Sequence, residues 1–197
     1  MTVFRAPAPR YLGPAAHTTS GDNKPIHRIV LHSTVSPCVK GGAEQIAAYF
    51  RSSKSGGSAH YVVDPCEVVQ VVGDSQIAWH APPNAHSLGI EMCDMPVADD
   101  ASRWKDPEHK AMLALTATLV AELCLAYDVR PWFVDVAGLK AGKGGVTTHN
   151  NVSLAFGEST HWDPGAWPRR RFMLQVRSEI RRLKAEARKV EKRQAKR

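Results

Sequence analysis

Apolar positions change period several times along the chain, and each change marks an element. The run HRIVLH (27–32) is short, apolar, of strand type and ends in a histidine, and the turn-rich segment STVSPCVKGG follows it. In AEQIAAYF (43–50), Ala43, Ile46, Ala47 and Phe50 fall on one stripe and predict a helix. AHYVVD (59–64) and EVVQVV (67–72) read as two strands joined tightly at Pro65 and Cys66, a hairpin, and SLGIEM (87–92) as a further strand. The clearest helix follows: Asp106 as its cap, Pro107 in its first turn, and Met112, Leu115, Leu119 and Leu123 repeating at helical spacing for the core. Residues 128–165 are irregular and rich in Gly, Pro and Trp, where a site built from loops is expected. Phe172, Val176, Ile180 and Leu183 line a last helix, predicted to dock by its first half and project by its second. The pattern is that of a mixed α/β protein.

Composition limits the number of domains. A chain of 197 residues that is 43% hydrophobic buries one sizeable core and leaves room for tails. Its net charge of +7 invites a nucleic-acid reading until the charges are placed. Residues 177–197 hold ten Lys/Arg and three Glu, so residues 1–176 carry sixteen of each sign and are neutral. A neutral body argues against a broad phosphate-binding face, and no nucleic-acid partner is expected. The tail reads either as a solvated helix end or as a weak electrostatic attraction to anionic wall polymers or a membrane surface. Cys38, Cys66, Cys93 and Cys124 show neither CxxC nor a small disulfide framework and read as ordinary buried thiols. The N-terminus lacks the apolar core of a signal peptide, and no window is read as membrane-spanning, so synthesis in the cytoplasm without an export signal is expected.

Candidate chemistry gathers on His32, His149, Asp163, Glu91 and His161. Catalytic zinc typically takes three protein ligands and leaves a fourth position open, and His32 ends a strand while His149 and Asp163 lie in segments that could converge on it. Nine histidines offer many such triples, so spacing alone leaves a bland reading in place.

Four segments in order, KPIHRIVLHST, SAHYVVD, AWHAPPNAHSLGIEM and THNNVSLAFGESTHWDPG, carry more. Together they resemble the zinc-dependent N-acetylmuramoyl-L-alanine amidases of the type 2 family, relatives of the peptidoglycan recognition proteins, from about Tyr11 to about Trp167. The opening YLGPAAHTTSGDNKPIHRIVLHST resembles amidase domains of endolysins from phages of actinobacteria. The resemblance implies a single domain with a central mixed sheet flanked by helices. The catalytic domain would span 25–176, after a Pro-rich lead-in packed on it (1–24) and before a basic C-terminal helix (177–197). It implies Zn²⁺ held by His32, His149 and Asp163, with Glu91 and His161 catalytic and with Thr34, His80 and Asn84 lining the substrate groove. Peptidoglycan is the implied substrate, cut at the amide between N-acetylmuramic acid and L-alanine. The implied protein is a monomer, cytoplasmic until a separate membrane-permeabilising protein releases it.

Two positions depart from the family pattern. His161 stands where relatives frequently have lysine, and Ala59 where some have a catalytic tyrosine, which shifts more of the burden to Glu91. Under the implied mechanism Glu91 takes a proton from water and delivers it to the departing amine, while zinc and His161 share the charge on the carbonyl oxygen. His60 reads as a structural histidine, and Trp79, Trp162 and Trp167 as sugar platforms or core. A cytoplasmic muropeptide-recycling amidase and a non-catalytic peptidoglycan-binding module are the rival functions. Retention of all four residues His32, His149, Asp163 and Glu91 speaks against the latter.

Overall fold

The structure, a computed structural model, describes residues 9–195. The sequence expectation for residues 1–8 of the lead-in lies outside them. In chain order the elements are β1 (Arg10–Tyr11), β2 (Thr18–Thr19), β3 (Arg28–Ser33), α1 (Gly42–Phe50), β4 (Tyr61–Val63), β5 (Val68–Gln70), β6 (Ile77–Ala78) and β7 (Ser87–Met92). A short 3₁₀ turn (Ser102–Lys105) then precedes α2 (Pro107–Tyr127), α3 (Val136–Lys140), β8 (Gly145–Thr148), α4 (His149–Phe156) and α5 (Arg169–Gln194). Six strands form one mixed sheet in the order β1-β5-β4-β7-β3-β8, and β2 and β6 pair separately. β3 lies parallel to both β7 and β8, while β4 and β5 form the antiparallel hairpin expected around Pro65 and Cys66.

The two-residue alternation of β3 divides its side chains between the two faces of the sheet. Ile29 and Leu31 enter the main core, where Met112, Leu113, Val120 and Leu123 of α2 and Phe172, Val176 and Ile180 of α5 also lie. Val30 points the other way, into a small cluster with Val134, Leu139 and Val152 beneath α3 and α4, and His32 shares that face. In β7, Leu88, Ile90 and Met92 join the main core, so Gly89 and Glu91 face the same side as His32. The parallel register sets His32 directly opposite Glu91.

Three expectations are corrected. Residues 128–165 contain a strand and two helices, not irregular chain; β8 is only four residues long, and α4 opens on His-Asn-Asn, poor helix formers that Thr148 caps by accepting from Asn151 N–H at 3.4 Å. Asp106 stands at the N-cap of α2 but makes no capping hydrogen bond. Its carboxylate lies instead 3.8 Å from the His109 ring. At 21 residues α2 is long and apolar enough to cross a bilayer by composition, contrary to the sequence reading, and here it packs in the core against α5 and the sheet.

Of the four free thiols Cys93 and Cys124 are buried, Cys38 is half-buried and Cys66 is exposed, so the expectation of four buried thiols fails at Cys38 and Cys66. Burial pushes the Cys93 and Cys124 thiols up to about 12, where they are unreactive. α5 buries Phe172, Met173, Val176 and Ile180 and then runs on exposed. Phe172→Ala, emptying a fully buried site, is expected to cost about 3–5 kcal/mol in urea denaturation. Val190→Ala, on the exposed part of the same helix, should stay within about 0.5 kcal/mol of the parent.

Candidate metal centre and active site

The end of β3, the junction of β8 with α4, and the turn before α5 converge. His32 is the fifth residue of β3, and His149 is the first residue of α4, so a strand-to-helix corner carries it, not the loop expected from sequence. Asp163 is held by two backbone donors on either side of its own position: Ser33 N–H donates to its Oδ2 at 3.2 Å, and Asn150 N–H donates to its carbonyl at 3.0 Å. His32 Nδ1 lies 3.0 Å from His149 Nδ1 and 3.5 Å from Asp163 Oδ2, and His149 Nδ1 lies 3.2 Å from Asp163 Oδ1. All three residues are buried, with relative exposures of 1, 5 and 8% in chain order. One donor atom from each lies within 4.8 Å of the others, so this group could hold a metal ion.

Outer partners occupy the far nitrogens of both imidazoles. His32 Nε2 is 3.1 Å from His80 Nδ1, and His149 Nε2 is 3.3 Å from Ser159 Oγ. Burial pushes the His32 imidazole down to about 4, against the opposing hydrogen bond to Asp163, so it is neutral at pH 7. Burial, followed by the neighbouring His32, holds His80 well below its ordinary value. Burial alone would raise the Asp163 carboxyl, but the hydrogen bonds of His149 and His32 win and hold it well below the usual carboxylate range. A neutral imidazole and an ionised carboxylate are the forms of histidine and aspartate that ligate a cation.

Glu91 stands beside this group and lines the same cleft, of about 480 Å³. Burial pushes its carboxyl well above the ordinary range, with the Asp163 charge adding to the shift, and its Oε2 is buried without a hydrogen-bond partner. An orphaned buried acceptor facing a cleft calls for a cation, a proton or water. His161 sits at the rim with its side chain 67% exposed; its ring stacks on that of His149 at 4.6 Å between centroids, and its Nδ1 is 4.0 Å from Asp163 Oδ1. Thr34 and Asn84 line the cleft as well, together with Ile46, Tyr49 and Trp79. Trp79 is half exposed, with its Nε1–H donating to Thr19 Oγ1 at 2.8 Å. Trp162 is also exposed, whereas Trp167 packs on Phe172 and Phe133. His60 is fully buried, accepting from Gly89 N–H on Nδ1 and bonding Gln76 O through Nε2, each at 3.0 Å. A larger hollow of about 1050 Å³ by Arg169–171 contains none of the titrating cluster.

Sequence reasoning missed the clamp on the Asp163 turn. Asp94, fully buried, accepts a forked pair of bonds from Arg103 at 2.8 and 2.9 Å, a third from Ser33 Oγ at 2.8 Å, and lies 3.1 Å from His109 Nε2. The same guanidinium donates to the carbonyls of Pro164 and Ala166, both at 3.0 Å. Gly165, at φ +68°, closes against this clamp, and a Cβ there would stand 2.2 Å from Val97 O. One ion pair therefore ties the strand end next to His32 to the turn that carries Asp163. Nothing in the local pattern of DDASRWKD marks Arg103 for that task, because its partners are remote in sequence.

Two imidazoles and a carboxylate around one point, with Glu91 beside them in an open cleft, form on this mixed sheet a group that could hold a metal ion. The chain belongs to the N-acetylmuramoyl-L-alanine amidase family, Amidase_2, which matches residues 22–166. It is 33% identical over 118 residues to a probable N-acetylmuramoyl-L-alanine amidase of Bacillus licheniformis, covering 51% of this chain and 30% of that protein. It is 30% identical over 113 residues to the N-acetylmuramoyl-L-alanine amidase XlyB of Bacillus subtilis, covering 54% and 32%. The aligned part thus spans about a third of the length of these curated relatives. Among solved structures the fold is similar to the Staphylococcus aureus hydrolase AmiA in complex with its ligand, with TM-score 0.69, 16% identity and coverage of 89% of this chain and 84% of that one. It is also similar to a mutant endolysin from Bacillus subtilis, with TM-score 0.53, 18% identity and coverage of 86% and 99%.

Removing the clamp tests its importance directly. Arg103→Ala leaves Asp94 buried without its guanidinium and is expected to cost about 3–5 kcal/mol in urea denaturation of the metal-free protein. Arg103→Lys, which restores charge but not the fork, should recover only part of that loss.

Proposed function

We propose that this chain hydrolyses the amide between the lactyl group of N-acetylmuramic acid and L-alanine in peptidoglycan, with zinc as its metal. The observation that carries the reading is the meeting of His32, His149 and Asp163 beside the orphaned Glu91 in one open cleft. Zinc at ~2.0–2.1 Å from tetrahedral ligands spaces them ~3.3 Å apart, close to the 3.0, 3.2 and 3.5 Å separations here. A bound zinc supplies a water of pKa ~7 instead of ~15.7 and polarises a carbonyl oxygen.

The chain's own residues do the rest. Glu91 accepts the proton of the attacking water and passes it to the leaving nitrogen, so the C–N bond breaks to give a lactyl carboxylate and a free L-alanine amine. Its raised proton affinity suits that second task. His161, stacked on His149 at the cleft rim, faces the side where the carbonyl oxygen gains charge. Thr34 and its neighbours Tyr49 and Trp79 form the walls against which glycan and peptide would lie. A non-catalytic binding module has no use for a Glu91 whose Oε2 is buried without a partner, which favours the enzyme. Its place of action is the cell wall, reached after release from the cytoplasm by a separate membrane-permeabilising protein.

On purified peptidoglycan the protein should release new L-alanine amino termini and no new reducing sugar ends. A chelator should abolish that release and zinc restore it. Glu91→Ala should lose ~10²–10⁴-fold in rate while still binding one zinc. Reducing ends without amino termini, or full activity after chelation, would overturn the assignment.

The exposed basic half of α5 supports a weak attraction to anionic wall polymers. A chain ended before Lys184 is expected to be retained less on cell walls at low salt, with the difference gone at ~1 M salt, where the Debye length is ~3 Å. Equal retention at low salt would show the helix end to be merely solvated.

A further inference from the structure

His80 was expected from sequence to contact substrate, yet both of its ring nitrogens are committed to the scaffold. Its Nε2 lies 3.0 Å from Ser87 Oγ and its Nδ1 lies 3.1 Å from His32 Nε2. Ser87 Oγ in turn lies 2.6 Å from the Asn84 carbonyl. The ring is 8% exposed and lies flat on Gly89, where a Cβ would stand 2.6 Å from His80 Cγ. Asn84 Oδ1 accepts from His80 N–H at 2.9 Å and Ala81 N–H at 2.8 Å, which fixes the turn that carries the ring.

The direction of each proton along this row follows from what each atom can do. A carbonyl oxygen only accepts, so the single hydroxyl hydrogen of Ser87 goes to Asn84. Ser87 Oγ then has only lone pairs for His80, so His80 Nε2 carries hydrogen. The neutral ring has a bare Nδ1, which accepts from His32 Nε2–H. His32 is left with its lone pair on Nδ1, the atom that lies 3.0 Å from His149 Nδ1 and 3.5 Å from Asp163 Oδ2. The opposite tautomer of His32 would trade the 3.1 Å bond to His80, leaving two bare nitrogens facing each other, for a longer contact to Asp163 Oδ2 at 3.5 Å.

We propose that His80 is a positioning residue: the row Asn84–Ser87–His80 fixes His32 in the tautomer that presents Nδ1 to a metal ion. The proposal rests on the reading of His32 as a ligand. Gly89 belongs to the same device, since only a residue without a side chain admits the ring between β7 and the 80–84 turn.

The test reads the tautomer first and the metal second. In metal-free protein labelled with ¹⁵N-histidine, long-range ¹H–¹⁵N correlation should show His32 protonated at Nε2 and bare at Nδ1. Zinc competition against a chelator should show ~10–100-fold weaker binding for His80→Phe, which keeps a ring but offers no acceptor. His80→Asn, whose Oδ1 stands near the place of Nδ1, should recover much of that loss. A wild-type His32 protonated at Nδ1, or a folded His80→Phe with wild-type zinc affinity, would overturn the proposal. If His80→Phe does not fold, the wild-type tautomer decides alone. A wild-type chain that binds no zinc would instead overturn the ligand assignment, so the two failures are distinguishable.

Discussion

Crowding three electron-rich donors into a dry pocket is the constraint around which this fold is organised. The donor atoms of His32, His149 and Asp163 face one another at 3.0 to 3.5 Å, and all three residues are buried. Such a group persists only if the backbone holds each member in place from behind. It does so through the parallel pairing of β3 with β8, the cap at Thr148 and the backbone donors of Ser33 and Asn150. A metal ion would draw on all three donors at once, so metal affinity and folding stability draw on the same scaffold.

The outer partners divide this labour. One buried ion pair, Asp94 with Arg103, sets the distance between the strand end and the Asp163 turn. A separate row through His80 and Ser87 sets the orientation of His32, and Ser159 plays the corresponding part for His149. Ser33, Asn84, His80 and Ser159 of these sets line the same cleft as Glu91, His161, Tyr49 and Trp79, so support and access share one wall.

Much of this was legible in the order of residues because it depends on local rules. Short apolar runs of strand type in HRIVLH and SLGIEM identified the two central strands, and the apolar spacing after Pro107 and after Phe172 identified the two helices that cover one face. The gathering of His32, His149 and Asp163 beside Glu91 was legible through four motifs taken together, not through spacing. What escaped notice depends on contacts between remote segments. β8 and α4 are too short and too polar to announce themselves, and they form because Val146 and Val152 find cores on opposite faces of the sheet. Arg103 and Ser87 carry no signature of their own. His80 was visible as a residue of the site, but the direction in which its ring nitrogens point is set by the turn at Asn84 and the gap at Gly89.

The central claim concerns where a cation sits. Diffraction from crystals loaded with one equivalent of zinc, recorded on both sides of the zinc absorption edge, locates the ion without reference to any assumed chemistry. The account predicts one anomalous peak bonded to His32 Nδ1, His149 Nδ1 and an Asp163 carboxylate oxygen, with Glu91 nearby and unbonded. A peak elsewhere, or one reached through the Nε2 atoms of these histidines, would contradict it.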